Sequence, residues 1–404
     1  MSNTTFAELY DGVGIIFDDE LKDKNTDLDV SKIITQLDER GIPMVVRYEI
    51  PEDPVAVAKH LRNISFIILD WEFINIEDQV KQEGVTLGDT LKNSNKDNIV
   101  DLINEFLKNT FCPIFIFSKD DPNDINRVLI DEKVMTQKGH PRILVRRKSD
   151  LLNGKLFSEI EEWLKSHLSV YVLKKWKTEH VKSQISLFKI FEEIHHSWPK
   201  ALWDTFKADG ISPSEEISAL LFRNMQACLS PFTFDASLFD SATTESLSQN
   251  DVRKVLSGER MIPNSVLNKE FVAPGDIFLD CKNLYINIRP ACDCIPRNAG
   301  DDIILYLLQG KKMTSPGEAK NYDDTHGHLM EIDCQAIVFA LHNGKSYDFR
   351  FKDLEQRSWN EWKAKRIGRL LPPYITRLQQ RYAAYLQREG LPRIPNHAIN
   401  RGSE

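Results

Sequence analysis

Four short apolar runs in the first 150 residues stop at five polar side chains, and no other feature constrains the fold as tightly. Gly14-Ile15-Ile16-Phe17 stops at Asp18 and Asp19, and Phe66-Ile67-Ile68-Leu69 stops at Asp70. Pro113-Ile114-Phe115-Ile116-Phe117 stops at Ser118, and Ile143-Leu144-Val145-Arg146-Arg147 leads into Lys148. Unbroken apolar runs are the mark of parallel strands covered on both faces, and the carboxyl ends of such strands open onto a site. A further run, Met44-Val45-Val46-Arg47-Tyr48, reads as one more strand.

The stretches between the runs carry helical spacing. Ile33, Ile34 and Leu37 share one face in residues 30–40, with Gly41 as the stop. Residues 54–61 read as a short helix. Ile99, Leu102, Ile103, Phe106 and Leu107 line another over 98–107, and residues 124–134 supply one more. Residues 74–95 are polar and acidic without a sustained period, as an insertion would be. Strand and helix alternating in this way predict an α/β fold with a flavodoxin-like, doubly wound parallel sheet over residues 1–150.

Beyond residue 150 the pattern changes twice. Residues 151 to about 260 show no convincing strand, and residues 151–265 read as a helical connector, with Ile160, Trp163, Leu164, Leu168, Tyr171 and Val172 at helical spacing. Ser212-Pro213-Ser214-Glu215 reads as a capping box ahead of the stretch 217–228. Residues 266–404 read as a small, mostly antiparallel β domain, closed by a basic helix over 359–388. A chain of 404 residues with 41% hydrophobic content is long enough for two or three such cores. Its net charge of −8 argues against a nucleic-acid partner held by general charge. The start, Met1-Ser2-Asn3-Thr4-Thr5, lacks signal-peptide features, and no run reaches the roughly 18–20 apolar residues of a membrane span. A cytoplasmic location is the expectation.

Acid-acid, acid, hydroxyl, lysine is the set that an aspartyl-phosphate site needs. A carboxylate attacking phosphorus requires the charge on the phosphoryl oxygens to be neutralised. Magnesium prefers oxygen ligands and keeps waters, so one or two carboxylates suffice to hold it. Asp70 is expected to be nucleophile and Mg²⁺ ligand, Asp19 a direct ligand, and Asp18 a ligand through water. Ser118 and Lys148 would each donate to a phosphoryl oxygen. Glu72 and Asp120, two residues beyond Asp70 and Ser118, are placed to orient a water against the acyl phosphate.

These residues resemble the receiver domain of two-component response regulators, with all five diagnostic positions filled in order and Phe17-Asp18-Asp19-Glu20 matching the paired acids. The separations of 51, 48 and 30 residues between Asp19, Asp70, Ser118 and Lys148 exceed those of compact receivers, and Ser149 stands where a proline usually follows the lysine. The match is to an enlarged, divergent receiver. It implies a histidine kinase as phosphodonor. The whole layout, with Arg369-Leu370-Leu371-Pro372-Pro373-Tyr374 and Leu391-Pro392-Arg393-Ile394-Pro395, is similar to large receivers of bacterial defence systems, including Detocs-type anti-phage phosphorelays. There a kinase senses infection, an effector receiver kills the cell, and a receiver without effector drains stray phosphate. The resemblance thus implies a phosphate buffer that phosphorylates and dephosphorylates itself, working beside an effector protein. The alternative is a phosphorylation-switched adaptor whose β domain binds a protein partner.

Other signals are weaker. No G-x-x-x-x-G-K-[ST], H-E-x-x-H or G-x-S-x-G motif marks an output enzyme. Cys292 and Cys294, with Cys281, Cys334, His326 and His328, invite a zinc reading, but C-x-C is poor spacing and small buried cysteines are the simpler account. His195-His196 reads as a helix-terminal pair. Arg366, Arg369, Arg377, Arg381 and Arg388 could bind an acidic partner or form a solvated helix face.

Overall fold

Five short strands pair in parallel: β1 (Gly14–Phe17), β2 (Met44–Arg47), β3 (Ile67–Leu69), β4 (Ile114–Ser118) and β5 (Ile143–Arg147). Their order is β2-β1-β3-β4-β5. The chain steps outward from β1 to β2 and then returns past β1 to β3, so the connections leaving the carboxyl ends of β1 and β3 run to opposite faces of the sheet at the switch in direction. Side chains alternate between two cores, as a pleated strand requires. On one face Ile16, Phe66, Ile68, Phe115 and Phe117 pack against α1 (Asp29–Asp38) and, beyond residue 150, against α5 (Lys155–Lys165). On the other, Ile15, Phe17, Ile67, Leu69, Ile114 and Ile116 meet α2 (Pro54–His60), α3 (Asp89–Asn109) and α4 (Pro122–Asp131). Gly14 admits the close approach of β1 to its neighbours, because a Cβ there would meet Phe66 Cζ at 2.3 Å and Met44 Sδ at 2.5 Å.

Local sequence sets several of these helices. Asp53 and Asp121 cap α2 and α4 by accepting from the Ala56 and Asn123 N–H groups, each followed by proline at the first helical position. Gly41, at φ +68°, ends the turn after α1 as expected. Helix α3 begins nine residues before the expected Asn98, because the apolar face that betrays it runs only from Ile99 to Phe106.

The structure, a computed structural model, describes residues 10–22, 28–73, 89–229, 231–242, 246–296 and 302–390, with isolated positions at 392, 394–395 and 398. Of the expected insertion over 74–95, residues 74–88 lie outside the described residues, as do the chain start and residues 391 and 393 of the tail segment. The chain divides into two compact units, Met1–His195 with Leu221–Thr244, and His196–Leu220 with Glu245–Glu404. The stretch read as a connector is helical as far as Arg260: α5 and α6 (Leu168–Glu193), then α7 (Trp198–Ala208), α8 (Pro213–Cys228), α9 (Ala236–Asp240) and α10 (Gln249–Arg260); its last residues, against the expectation, include the strand Met261–Pro263. Its first members join the core of the first unit, through Leu156, Ile160 and Trp163 of α5 and Val170 and Tyr171 of α6.

The second unit is built on a seven-stranded antiparallel sheet. In chain order its strands are β6 (Met261–Pro263), β7 (Asp276–Asp280), β8 (Asn283–Asn287) and β9 (Ile304–Lys312), then α11 (Ser315–Asn321) and the hairpin β10 (Tyr322–Asp323) and β11 (His328–Leu329). There follow β12 (Gln335–His342), β13 (Lys345–Ser358), α12 (Trp359–Trp362), β14 (Arg366–Leu370) and α13 (Tyr374–Leu386). The sheet order is β12-β13-β9-β8-β7-β14-β6, with β10 and β11 paired apart from it. Both faces are covered, one by Ile375 and Leu378 of α13 and the other by Trp359 and Trp362. Helix α10 lies against both edge strands, β12 and β6.

The basic helix expected over 359–388 is corrected. Residues 366–370 form a strand, and only Tyr374–Leu386 is a long helix. Gly368 decides this, because its missing Cβ would lie 2.5 Å from the Ile262 carbonyl oxygen of β6, and Pro372 and Pro373 then stop the strand. The arginines form no open basic face. Arg366 and Arg369 hold Asp276, Arg377 and Arg381 hold Glu331, and Arg388 lies 4.0 Å from the Tyr385 ring centre.

Candidate functional site

The ends of β1, β3 and β5 bring Asp18, Asp19, Asp70 and Lys148 into one cluster, and Ser118 lies at the same end of the intervening strand β4. Asp18 follows β1, Asp70 follows β3, Ser118 ends β4 and Lys148 follows β5, and all four are buried. The Lys148 side chain is only 1% exposed, and its Nζ donates to Asp18 Oδ2 at 2.8 Å and Asp70 Oδ2 at 2.7 Å. Asp19, half-buried, completes a group with Asp18 and Asp70 whose ligand atoms lie within 4.8 Å of one another. Backbone N–H groups orient the acids: Glu20 donates to Asp18 Oδ1 at 3.0 Å and Glu72 to Asp70 Oδ1 at 3.4 Å. The Asp120 N–H donates to Ser118 Oγ at 3.1 Å. Glu72 and Asp120 therefore reach the site through their main chain, while the Glu72 side chain is exposed.

Electrostatically the cluster is unbalanced. Burial is the largest influence on Asp70 and drives its carboxyl up to about 7; Lys148 opposes the shift and the neighbouring Asp18 adds to it. Burial likewise raises Asp18 despite the Lys148 ammonium. For Lys148, burial disfavours the charge, but the Asp70 and Asp18 carboxylates outweigh it and hold the ammonium above the ordinary lysine range. One buried cation thus faces two buried carboxylates with Asp19 beside them. An all-carboxylate oxygen set with excess negative charge fits a hard divalent cation and does not suit a soft one.

Glu20, matched in the sequence only as the residue after the paired acids, takes a part not assigned there, and Lys119 escaped the sequence. Glu20 accepts from Lys148 Nζ at 3.2 Å and also pairs with Lys119, so a second lysine stands at the rim of the cluster. Burial works against the Glu20 charge, but Lys119 and Lys148 together lower its carboxyl below the usual glutamate range. The available signal was positional, since Glu20 directly follows the paired acids and Lys119 directly follows Ser118.

The cysteine-histidine set does not assemble. Among the described residues the only group of three or more potential metal ligands is Asp18, Asp19 and Asp70. Cys294 is buried, which pushes its thiol up to about 11, whereas Cys281 and Cys292 are exposed and His326 pairs with Asp323. Among the described residues no helix is long and apolar enough to cross a membrane. In comparison with known proteins, the chain matches no protein-family model and no curated protein.

Proposed function

We propose that the first unit is a magnesium-dependent phosphoacceptor of receiver type, with a flavodoxin-like sheet and Asp70 as the phosphorylated residue. The observation that carries this reading is the Lys148 ammonium bonded to both Asp18 and Asp70 at the carboxyl ends of the central strands. Asp18, Asp19 and Asp70 would hold the cation, whose bound charge offsets that of the phosphoryl oxygens. An Asp70 carboxylate oxygen attacks the phosphorus of a phosphohistidine-type donor; the P–N bond breaks and the imidazole leaves with its proton. Lys148 then exchanges its carboxylate partner for a phosphoryl oxygen, and Ser118 donates to another. Water attacking the same phosphorus returns the carboxylate and releases inorganic phosphate.

In this reading the protein is a phosphate buffer of a bacterial anti-phage two-component system, fed by a histidine kinase in the cytoplasm beside an effector protein. The alternative, a phosphorylation-switched adaptor, is favoured by one observation: the β unit is a separately packed body with cores on both faces. The test is labelling of the full chain by phosphoramidate in Mg²⁺. Asp70→Asn is expected to lose the hydroxylamine-labile label while keeping its fold, and undiminished labelling would refute the assignment. Asp19→Ala should weaken Mg²⁺ binding more than Asp18→Ala, whereas Lys148→Ala should slow transfer about 100-fold with little loss of Mg²⁺. Label that decays after donor removal, and decays more slowly in Glu72→Gln or Asp120→Asn, supports the buffer. Label that persists unchanged in both variants supports the adaptor.

A further inference from the structure

The second unit contains a cavity of about 780 Å³ between α10, the β10–β11 hairpin, β12 and the start of α13. That volume lies within the range of small-molecule sites. Leu256, Leu329, Val338 and Phe339 contribute apolar wall. Arg260 and Tyr374 stand together at the polar end, with the guanidinium carbon 4.9 Å from the ring centre.

The charges around the cavity are spent unequally. Glu331 is engaged on all sides: its side chain is 4% exposed, it pairs with both Arg377 and Arg381, and it accepts the Ile337 N–H. Glu259 is shared, accepting from Tyr374 Oη at 2.6 Å and from Arg260 Nη1 at 2.9 Å. Arg260 Nη1 also donates to the Leu256 carbonyl at 2.8 Å. Its Nε and Nη2 make no bond among the described residues, although the side chain is only 14% exposed. Three arginines against two glutamates leave the group with one positive charge in surplus, and Arg260, though paired with Glu259, keeps two donor nitrogens uncommitted. A guanidinium with free donors beside apolar wall binds a carboxylate, sulfonate or phosphate with defined geometry.

We propose that this cavity binds a small amphipathic anion, its apolar body against Leu256, Leu329 and Phe339 and its anionic group on Arg260. This site is independent of the Asp70 cluster, and the proposal does not rest on the phosphoacceptor reading.

The test uses the full chain and 8-anilinonaphthalene-1-sulfonate, whose fluorescence rises in an apolar site. One saturable site is expected. Decanoate and 2-naphthoate should displace the probe, and decyltrimethylammonium, with the opposite charge, should not. The stronger competitor of the two acids identifies an aliphatic or an aromatic body. Arg260→Met keeps the stem and removes the charge; it should weaken binding tenfold or more. Leu329→Trp fills the cavity without touching Arg260 and should abolish the signal, so the proposal stays testable if one variant folds poorly by near-UV circular dichroism. Unsaturable binding, displacement by the ammonium compound, or affinity unchanged in a folded Arg260→Met or Leu329→Trp variant would overturn the proposal.

Discussion

Asp70 in the first unit and Asp276 in the second are both buried carboxylates bonded to buried cations, yet their surroundings are opposite in kind. Asp276 accepts from Arg366 Nη1 at 3.3 Å, from Arg369 Nε at 2.6 Å and from the Ala273 N–H at 2.9 Å. Arg366 spends its other donors on Asn264 Oδ1 and the carbonyls of Phe271 and Asn268. Two guanidiniums thus serve one carboxylate, and the group clamps β14 to β7 and to the loop before it. At Asp70 the ratio is reversed, with a single ammonium shared by two buried carboxylates. Burial of charge therefore does not identify a site by itself. A cluster whose carboxylate is outnumbered by cations holds a fold together, while one with carboxylates in excess is suited to a further cation.

The largest expected effect tests the closed cluster. Arg366→Met leaves Asp276 buried with one partner removed, and should cost about 3–5 kcal/mol in urea denaturation. A loss below about 1 kcal/mol would show that the clamp is ornamental.

Lys174 supplies an intermediate case. Its buried ammonium donates to Ser65 O and Oγ, both at 2.9 Å, and burial, aided by Lys177, lowers it to about 8. The folded protein then binds fewer protons than the unfolded chain between about pH 8 and the ordinary lysine value of 10.5. Stability should accordingly rise across that window, by about 3 kcal/mol relative to Lys174→Met, and parallel pH curves for the two proteins would contradict this.

A smaller effect concerns the open cluster. Because the Asp70 carboxyl is raised to about 7, a proton competes with a bound cation below that value. Apparent Mg²⁺ affinity should climb about tenfold per pH unit up to about 7 and then level off. In metal-free protein the sign is opposite: the raised group favours the folded state at low pH, and this contribution is lost as pH rises from about 4 to about 7. Calorimetric titration and metal-free denaturation across that range check both directions. The smallest effect calibrates the rest: breaking the exposed Lys200–Asp204 pair with Lys200→Ala should change stability by no more than about 0.5 kcal/mol.

How far each cluster could be read from sequence follows from the same contrast. Asp18, Asp70 and Ser118 were legible because each directly follows an unbroken apolar run, and Lys148 because it follows the strand that the run Ile143-Leu144-Val145 opens. The Glu20–Lys119 pair was not, because its members lie 99 residues apart and neither changes the local pattern. Lys174 looked like any polar helix position, and its partner Ser65 comes from a distant loop. Residues 366–370 fit a helical period as well as a strand's, and the choice was made by the approach of β6 at Gly368. Strand β13, 14 residues long, carries a period-2 signal only in its first half, where Asp348, Arg350 and Lys352 alternate with buried Tyr347, Phe349 and Phe351, while its largely polar second half shows none.

Helix α10 has a consequence for solubility. Strand β12 is an edge strand whose central sequence, Ala336-Ile337-Val338-Phe339-Ala340-Leu341, is uncharged, apolar and free of proline. Left open, such an edge is a template on which other chains can add strands and grow into aggregates. The helix shields it, with Ser257 Oγ bonded at 2.7 Å to the Ala340 carbonyl. A fragment of the β unit cut after residue 260 would uncover this self-recognising segment, so the helix that precedes the sheet in sequence acts as its built-in guard against fibre formation.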